Sequence, residues 1–253
     1  MERKAQLSIF IILGLVIVAL FAILLFFRED IGAMYAQSGI GKTEALSPQI
    51  SEIDSFVRGC ISDSGYEALY IIGQHGGYFR PPALSTEPGI PYYFAHGKSY
   101  MPTKEAIERE ISSYVSMKLF FCTRGFDRFD GFEISQGRII TKAAITDNEV
   151  IIDVEYPLVI EKGGTSFSLK EFKGARVPVR LGIMHNAASE IIQEQLKDSK
   201  NICLSCLVEL YQKSGLHISM LDYGEDSVIF IISDKSSIVN KKPYEFVFAN
   251  KYR

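Results

Sequence analysis

Few residues in this chain are of types that could do chemistry, and the cysteines lead. Cys203 and Cys206 stand in ICLSCL, a C-x-x-C at the entrance of a short helix-forming stretch. Three states fit that spacing: a local structural disulfide, two reduced core cysteines, or a redox pair, since a helix N-terminus lowers a thiol pKa. A thioredoxin-like redox unit expects an apolar strand immediately upstream, whereas EQLKDSKN is helical and then polar. A structural zinc needs four ligands, and His185 and His217 lie too far away in sequence to complete a set with this pair. No metal or other cofactor is expected. Cys60 and Cys122 fall in two separate helical stretches. If those helices pack antiparallel, a disulfide between them would contribute roughly 4 kcal/mol through loop entropy. The alternative is two small buried hydrophobes.

The four histidines, His75, His96, His185 and His217, form neither H-E-x-x-H nor a local triad spacing. His75 lies in IIGQHGGYF, where Gly73, Gly76 and Gly77 either bring backbone close to a ligand or simply end a helix in a sharp turn. No phosphate-binding Lys-Ser/Thr follows those glycines, and no nucleophile elbow, kinase signature or S-x-x-K is present. The least ordinary feature is aromatic. Tyr66, Tyr70, Tyr78, Phe79, Tyr92, Tyr93, Phe94 and Tyr100 fall within 35 residues. Exposed Tyr-rich loops bind partners because the ring gives large area at low rotamer cost. Pro81, Pro82, Pro88 and Pro91 would stiffen such a loop. His75, Tyr78, Phe79, Tyr92, Tyr93 and Phe94 are therefore candidates for a partner-binding loop, with an ordinary satellite core as the competing assignment.

The elements that must position these residues are legible from periodicity. Ile50, Ile53, Phe56, Val57, Cys60 and Ile61 recur at helical steps over 49–73. Thr103 caps a second helix whose stripe is Ile107, Ile111, Tyr114, Val115 and Leu119. Between them, GYFRPPALSTEPGIPYYFAHGKSYMP carries too many breakers for regular structure. From Phe132 the period becomes two. Val150, Ile152, Val154 and Tyr156 point one way and Asp153 and Glu155 the other, as in a half-buried strand, entered by Asp147-Asn148 and left by Gly163-Gly164. Helices over 183–198 and 203–213 precede three closing strands, HISML, VIFIIS and YEFVFA. The pattern predicts an α+β domain over 48–253, with a helix pair and a mostly antiparallel sheet.

Ahead of that domain, residues 7–27 run for 21 positions without a charge, and only Ser8 and Gly14 interrupt the apolar series. As a helix they extend ~31 Å, the thickness of a bilayer's hydrocarbon core. Arg3 and Lys4 precede this run against one acid, Glu2, and Arg28, Glu29 and Asp30 follow it. The positive-inside rule then keeps the N-terminus cytoplasmic and the body outside. The expected organisation is a tip and membrane helix over 1–30, a Gly- and Ser-bearing stalk over 31–47, and an extracytoplasmic domain. Two of the 27 basic and one of the 30 acidic residues lie before position 28, leaving the rest at net −4. That balance excludes a strongly basic nucleic-acid binder, and 17 Phe with 13 Tyr exclude an aromatic-poor disordered chain.

Residues 3–12, RKAQLSIFII, resemble the class III signal peptides of archaeal type IV pilins: basic residues, a small residue, Gln, then a long apolar helix. The resemblance implies cleavage between Ala5 and Gln6 by a membrane peptidase, with the apolar helix retained. It departs from the bacterial pattern at Phe10, where bacterial pilins carry Glu. The whole chain is also similar to single-pass membrane proteins of archaea. The expected function is that of a membrane-anchored surface protein that binds or builds rather than catalyses, partnered by the bilayer through 7–27 and by another protein or its own copies. A pilin-like filament subunit and a membrane-tethered thiol–disulfide enzyme using Cys203 and Cys206 are the alternatives.

Overall fold

The computed structural model describes residues 48–252. The apolar run at 7–27, the Ala5–Gln6 junction and the stalk lie outside the described residues. Among those described, no helix is long and apolar enough to cross a membrane.

The spine of the body is α1, Pro48–Gln74. Its stripe buries Ile50, Ile53, Val57, Cys60, Ile61, Ala68, Leu69 and Ile72 on one face, as the three- and four-residue spacing requires. Small residues let other elements approach closely. A Cβ on Gly65 would lie 2.7 Å from Ile152, and one on Gly73 only 2.4 Å from the Glu245 carbonyl oxygen.

The second helix, α2, covers Lys104–Cys122. Thr103 caps it as expected, its Oγ1 accepting from the Ala106 amide at 3.2 Å. A 3-10 turn, Thr123–Arg128, continues from it. Its Phe126 and the following Phe129 place rings 5.7 and 5.6 Å from Phe56 on α1.

Two sheets flank these helices. In the first, the strands are β1 (Tyr92–Ala95), β2 (Lys98–Ser99), β7 (His217–Tyr223), β8 (Ser227–Val239) and β9 (Lys242–Lys251). Their order is β2-β1-β9-β8-β7, antiparallel except where β1 runs parallel to β9. The central strand β9 is buried almost continuously from Phe246 to Asn250.

The Gly- and Pro-rich segment between the helices was expected to lack regular structure, and here the fold differs. Its breakers bound β1 instead of interrupting it. Pro91 stands just before the strand and accepts from the Ala249 amide at 2.9 Å, so its missing N–H costs no ladder bond. His96 and Gly97, at φ 52° and 71°, turn β1 into β2, the left-handed pair that a two-residue hairpin turn needs.

The second sheet is built on β5, Val150–Lys162. One edge of β5 pairs with β6 (Thr165–Val177); the other is shared end to end by β4 (Ile140–Ile145) and β3 (Glu133–Gln136). Helix α2 covers the free edge of β4. Glu108, Ser112 and Ser116 stand one turn apart: Glu108 Oε1 accepts from the Ile145 amide at 2.8 Å and Ser112 Oγ from the Ala143 amide at 3.0 Å. Ser116 Oγ completes the series by donating to Thr141 Oγ1 at 2.8 Å. A helix thus satisfies an edge that would otherwise invite another strand.

Helices α3 (Leu181–Lys197) and α4 (Leu204–Ser214) connect the second sheet to the closing strands. Gly215 ends α4 in the left-handed region at φ 70°. The body is α+β with mostly antiparallel sheets.

Candidate functional site: the cysteine pairs and the aromatic segment

Both cysteine pairs are closed. Cys60 and Cys122, 62 positions apart, are joined with Cα atoms 6.0 Å apart, and Cys203 and Cys206 with Cα atoms 5.3 Å apart. The first link fastens the middle of α1 to the last residue of α2. Cys60 is buried and Cys122 is exposed, so the bridge runs from core to surface.

The second link sits at the start of α4, where Cys203 is the N-cap and its Sγ accepts from the Cys206 amide at 3.3 Å. Ser205 Oγ lies 3.5 Å from the same sulfur. Beside Cys206 a groove of about 360 Å³ carries Glu190, Glu194 and Glu209 against Lys213, and Lys213 is itself paired with Glu190 at 2.9 Å. Reactive thiols sit in electropositive surroundings, the opposite of this balance. The helix terminus is the local feature that would most favour a thiolate.

The histidines are dispersed. His75 closes α1, its amide bonded to the Ile71 carbonyl at 3.1 Å and its Nδ1 buried without a hydrogen-bond partner. His185 is buried on α3 with Nε2 2.9 Å from the Pro102 carbonyl oxygen. A carbonyl accepts only, so Nε2 carries the proton and Nδ1 is left as an unpartnered acceptor. Burial lowers the His185 pKa, and the Pro102 contact offsets this only in part. His96 and His217 are exposed at the ends of strands. Among the described residues, no three His, Cys, Asp or Glu side chains come together in a group that could hold a metal ion.

The aromatic segment is mortised into the body. Tyr93 and Phe94 are core residues. Tyr93 stacks on Phe248 at 4.6 Å and meets Phe246 edge-on at 6.2 Å. Its hydroxyl donates to the Gly76 carbonyl at 2.7 Å, and burial drives its pKa far up, so the phenol stays protonated. Phe79 packs edge-on against Tyr114 at 4.9 Å, and its amide donates to Glu110 Oε2 at 2.9 Å. Tyr78, Phe79, Tyr92 and His75 are half-buried. Tyr92 turns its hydroxyl toward Ser227 Oγ at 3.3 Å. Of the eight rings in the segment, Tyr70 and Tyr100 alone are exposed. The glycines serve this packing: a Cβ on Gly76 would lie 2.7 Å from the Val247 carbonyl oxygen. These rings fix the end of α1 to β9, and Tyr93 and Phe94 present nothing to a partner.

A different aromatic group is exposed. Phe120 and Phe121, at the end of α2, are 51% and 54% accessible. Their rings meet at 5.5 Å, and the Arg124 guanidinium lies 5.1 and 5.2 Å from the two centroids. They stand outside the Tyr-rich segment that composition singles out. The signal was present in the helix: the buried stripe Ile111, Val115, Leu119 leaves both phenylalanines off its line.

Comparison with protein-family models, with curated proteins and with solved structures finds no match to this chain.

Proposed function

We propose that this chain is a membrane-anchored surface protein whose α+β body is displayed outside the cytoplasm and acts by binding or by building rather than by catalysis. The observation that carries the reading is the pair of closed disulfides. Such links persist in oxidising compartments and are rare in the cytosol, which agrees with the orientation expected from Arg3 and Lys4 ahead of the apolar run. Protease added to intact cells or spheroplasts should degrade the body. Protection equal to that of a cytosolic control overturns the reading.

Two other readings each rest on a specific feature. The RKAQLSIFII segment supports a pilin-like subunit processed before Gln6. Intact mass should then fall by the first five residues, whereas a retained Met1, or loss of Met1 alone, leaves a plain signal anchor. The Cys203 sulfur at the start of α4 supports a thiol–disulfide enzyme. Finding Cys203 and Cys206 alone reduced in native material, with Cys60 and Cys122 closed, would favour it.

A further inference from the structure

The Phe120–Phe121–Arg124 group has a fixed address in the molecule. It adjoins Cys122, which is bonded to Cys60 of α1, and the 3-10 turn after it packs on Phe56 through Phe126 and Phe129. These contacts all fall on the first half of α1. The last turn of that helix instead meets the five-stranded sheet, with Gly73 against Glu245. The chain enters α1 at Pro48 from residues 28–47. Twenty residues reach at most ~70 Å, and the helix from Pro48 to Cys60 adds ~18 Å. A bilayer holding 7–27 is therefore within reach of the patch.

The chemistry of the patch selects its partner. Two half-exposed Phe rings leave much of a burial free energy of roughly 1.5–3 kcal/mol apiece unrealised in water. Arg124 lies over both rings, so the group has an apolar body with a charged tip, the form of side chains that sit where water meets lipid. The segment 124–130 that adjoins the rings carries no net charge, with Arg124 and Arg128 equal in number to Asp127 and Asp130, and Arg128 is committed to the Phe56 ring at 4.2 Å. An anionic surface would gain little here; an uncharged lipid interface can take the rings.

We propose that Phe120 and Phe121 form a second membrane contact, inserting into the headgroup–acyl boundary of the bilayer that residues 7–27 span and setting the first half of α1 toward the membrane. This rests on the membrane-anchor reading. The five-stranded sheet then faces away from the cell, and α4, with Leu204, Val208 and Tyr211 exposed, stays clear of lipid.

The chain contains no tryptophan, so Phe121→Trp in the full-length protein gives a single emitter. The protein is reconstituted in phosphatidylcholine vesicles, with and without acyl-brominated phosphatidylcholine, and floated on a density gradient. The expected result is co-flotation, blue-shifted emission, quenching by the brominated lipid and no change on raising salt. Val208→Trp should float equally and remain unquenched. Phe120→Trp provides a second reporter should the first variant misfold, as judged by loss of the Cys60–Cys122 link. Failure to float overturns the anchor reading and this proposal with it. Flotation with water-exposed, unquenched emission from both reporters overturns the docking alone. A blue shift that brominated lipid does not quench, and that grows with the protein-to-lipid ratio, would assign the patch to a second copy of the chain and likewise overturn lipid docking.

Discussion

Two junctions of the body are held by opposite means. The helix pair is tied by Cys60–Cys122. Where the second sheet hands over to the first, the tie is ionic: Arg180, at the start of α3, reaches Asp234 at the bulge in β8 through Nε at 2.9 Å and Nη2 at 2.6 Å. Asp234 is 1% exposed at its side chain. Its oxygens also accept from Ser237 Oγ at 2.5 Å and the Ser236 amide at 3.0 Å, while Arg180 Nη1 donates to the Ser214 carbonyl at the end of α4 at 3.3 Å. One charge pair therefore gathers α3, α4 and β8. A disulfide acts chiefly by restricting the unfolded chain, whereas a buried ion pair acts only in the folded state and must first overcome its own desolvation. The first junction should thus answer to reductant and ignore pH; the second should do the reverse.

The covalent junction gives the largest effect. Cys60→Ala with Cys122→Ala should cost about 4 kcal/mol by the loop-entropy relation for a sequence separation of 62. A denaturant titration reads this as a lower midpoint, and reductant should bring the wild type most of the way to the same value. An unchanged midpoint would break the contrast.

At the ionic junction, Asp234→Asn should cost about 3 kcal/mol, since it leaves a half-buried guanidinium without its charge partner. Burial by itself raises the Asp234 pKa, but the bonds from Arg180, Ser237 and the Ser236 amide outweigh it and hold the carboxyl below its ordinary value. A depressed folded pKa means the stabilisation is present above the unfolded value near pH 3.9 and is lost as pH falls through the folded one. Melts below pH 4 should therefore show an acid slope in the wild type that Asp234→Asn reduces. His185 has a separate window. Its pKa is lowered by burial, so its contribution is present above about pH 6.5 and declines as pH falls from there. His185→Gln should flatten the curve just below about pH 6.5 while leaving the Asp234 slope below pH 4 intact.

A third junction has neither charge nor covalent bond: the end of α1 is simply set against β9. Gly73→Ala should cost about 2 kcal/mol, as overpacking does, because its Cβ would stand 2.4 Å from backbone at Glu245. The loss should be the same with and without reductant and across pH.

How much of this could be read in the chain depends on the range of the interaction. Helices α1 to α4 and the closing strands were legible because their signals are local: the Thr103 cap, the Gly215 stop and the two-residue alternation through Val150–Tyr156. Strand β1 was not, because its pairing with β9 joins Tyr92 to Ala249 and no local pattern encodes a parallel partner that distant. The aromatic segment was visible as composition, but burial decided its use, and burial depends on where β9 lies. Arg180 and Asp234 left no trace for a similar reason: a lone Arg and a lone Asp look like surface residues until a bulge in β8 turns one toward the other. The cysteine pairing was readable only as a conditional, since antiparallel packing of two helices had to be assumed.

The smallest expected effect belongs to the second disulfide, and it sharpens the comparison by holding the chemistry constant while changing the loop. Cys203 and Cys206 are separated by three positions, so removing their link returns little entropy to the unfolded chain, about 1.5 kcal/mol by the same relation. The Cys203 sulfur has another role, accepting from the Cys206 amide as the cap of α4. Serine can replace that acceptor; alanine cannot. Cys203→Ser with Cys206→Ala should therefore lose only the cross-link, and Cys203→Ala with Cys206→Ala should lose roughly 1 kcal/mol more for the missing cap. Hydrogen exchange should locate the loss in α4, Leu204–Ser214, with α1 and α2 as protected as before. If removing this short link instead lowers the midpoint as far as removing Cys60–Cys122, loop length does not govern either junction. The contribution of the two disulfides would then have to be sought in the folded contacts around them.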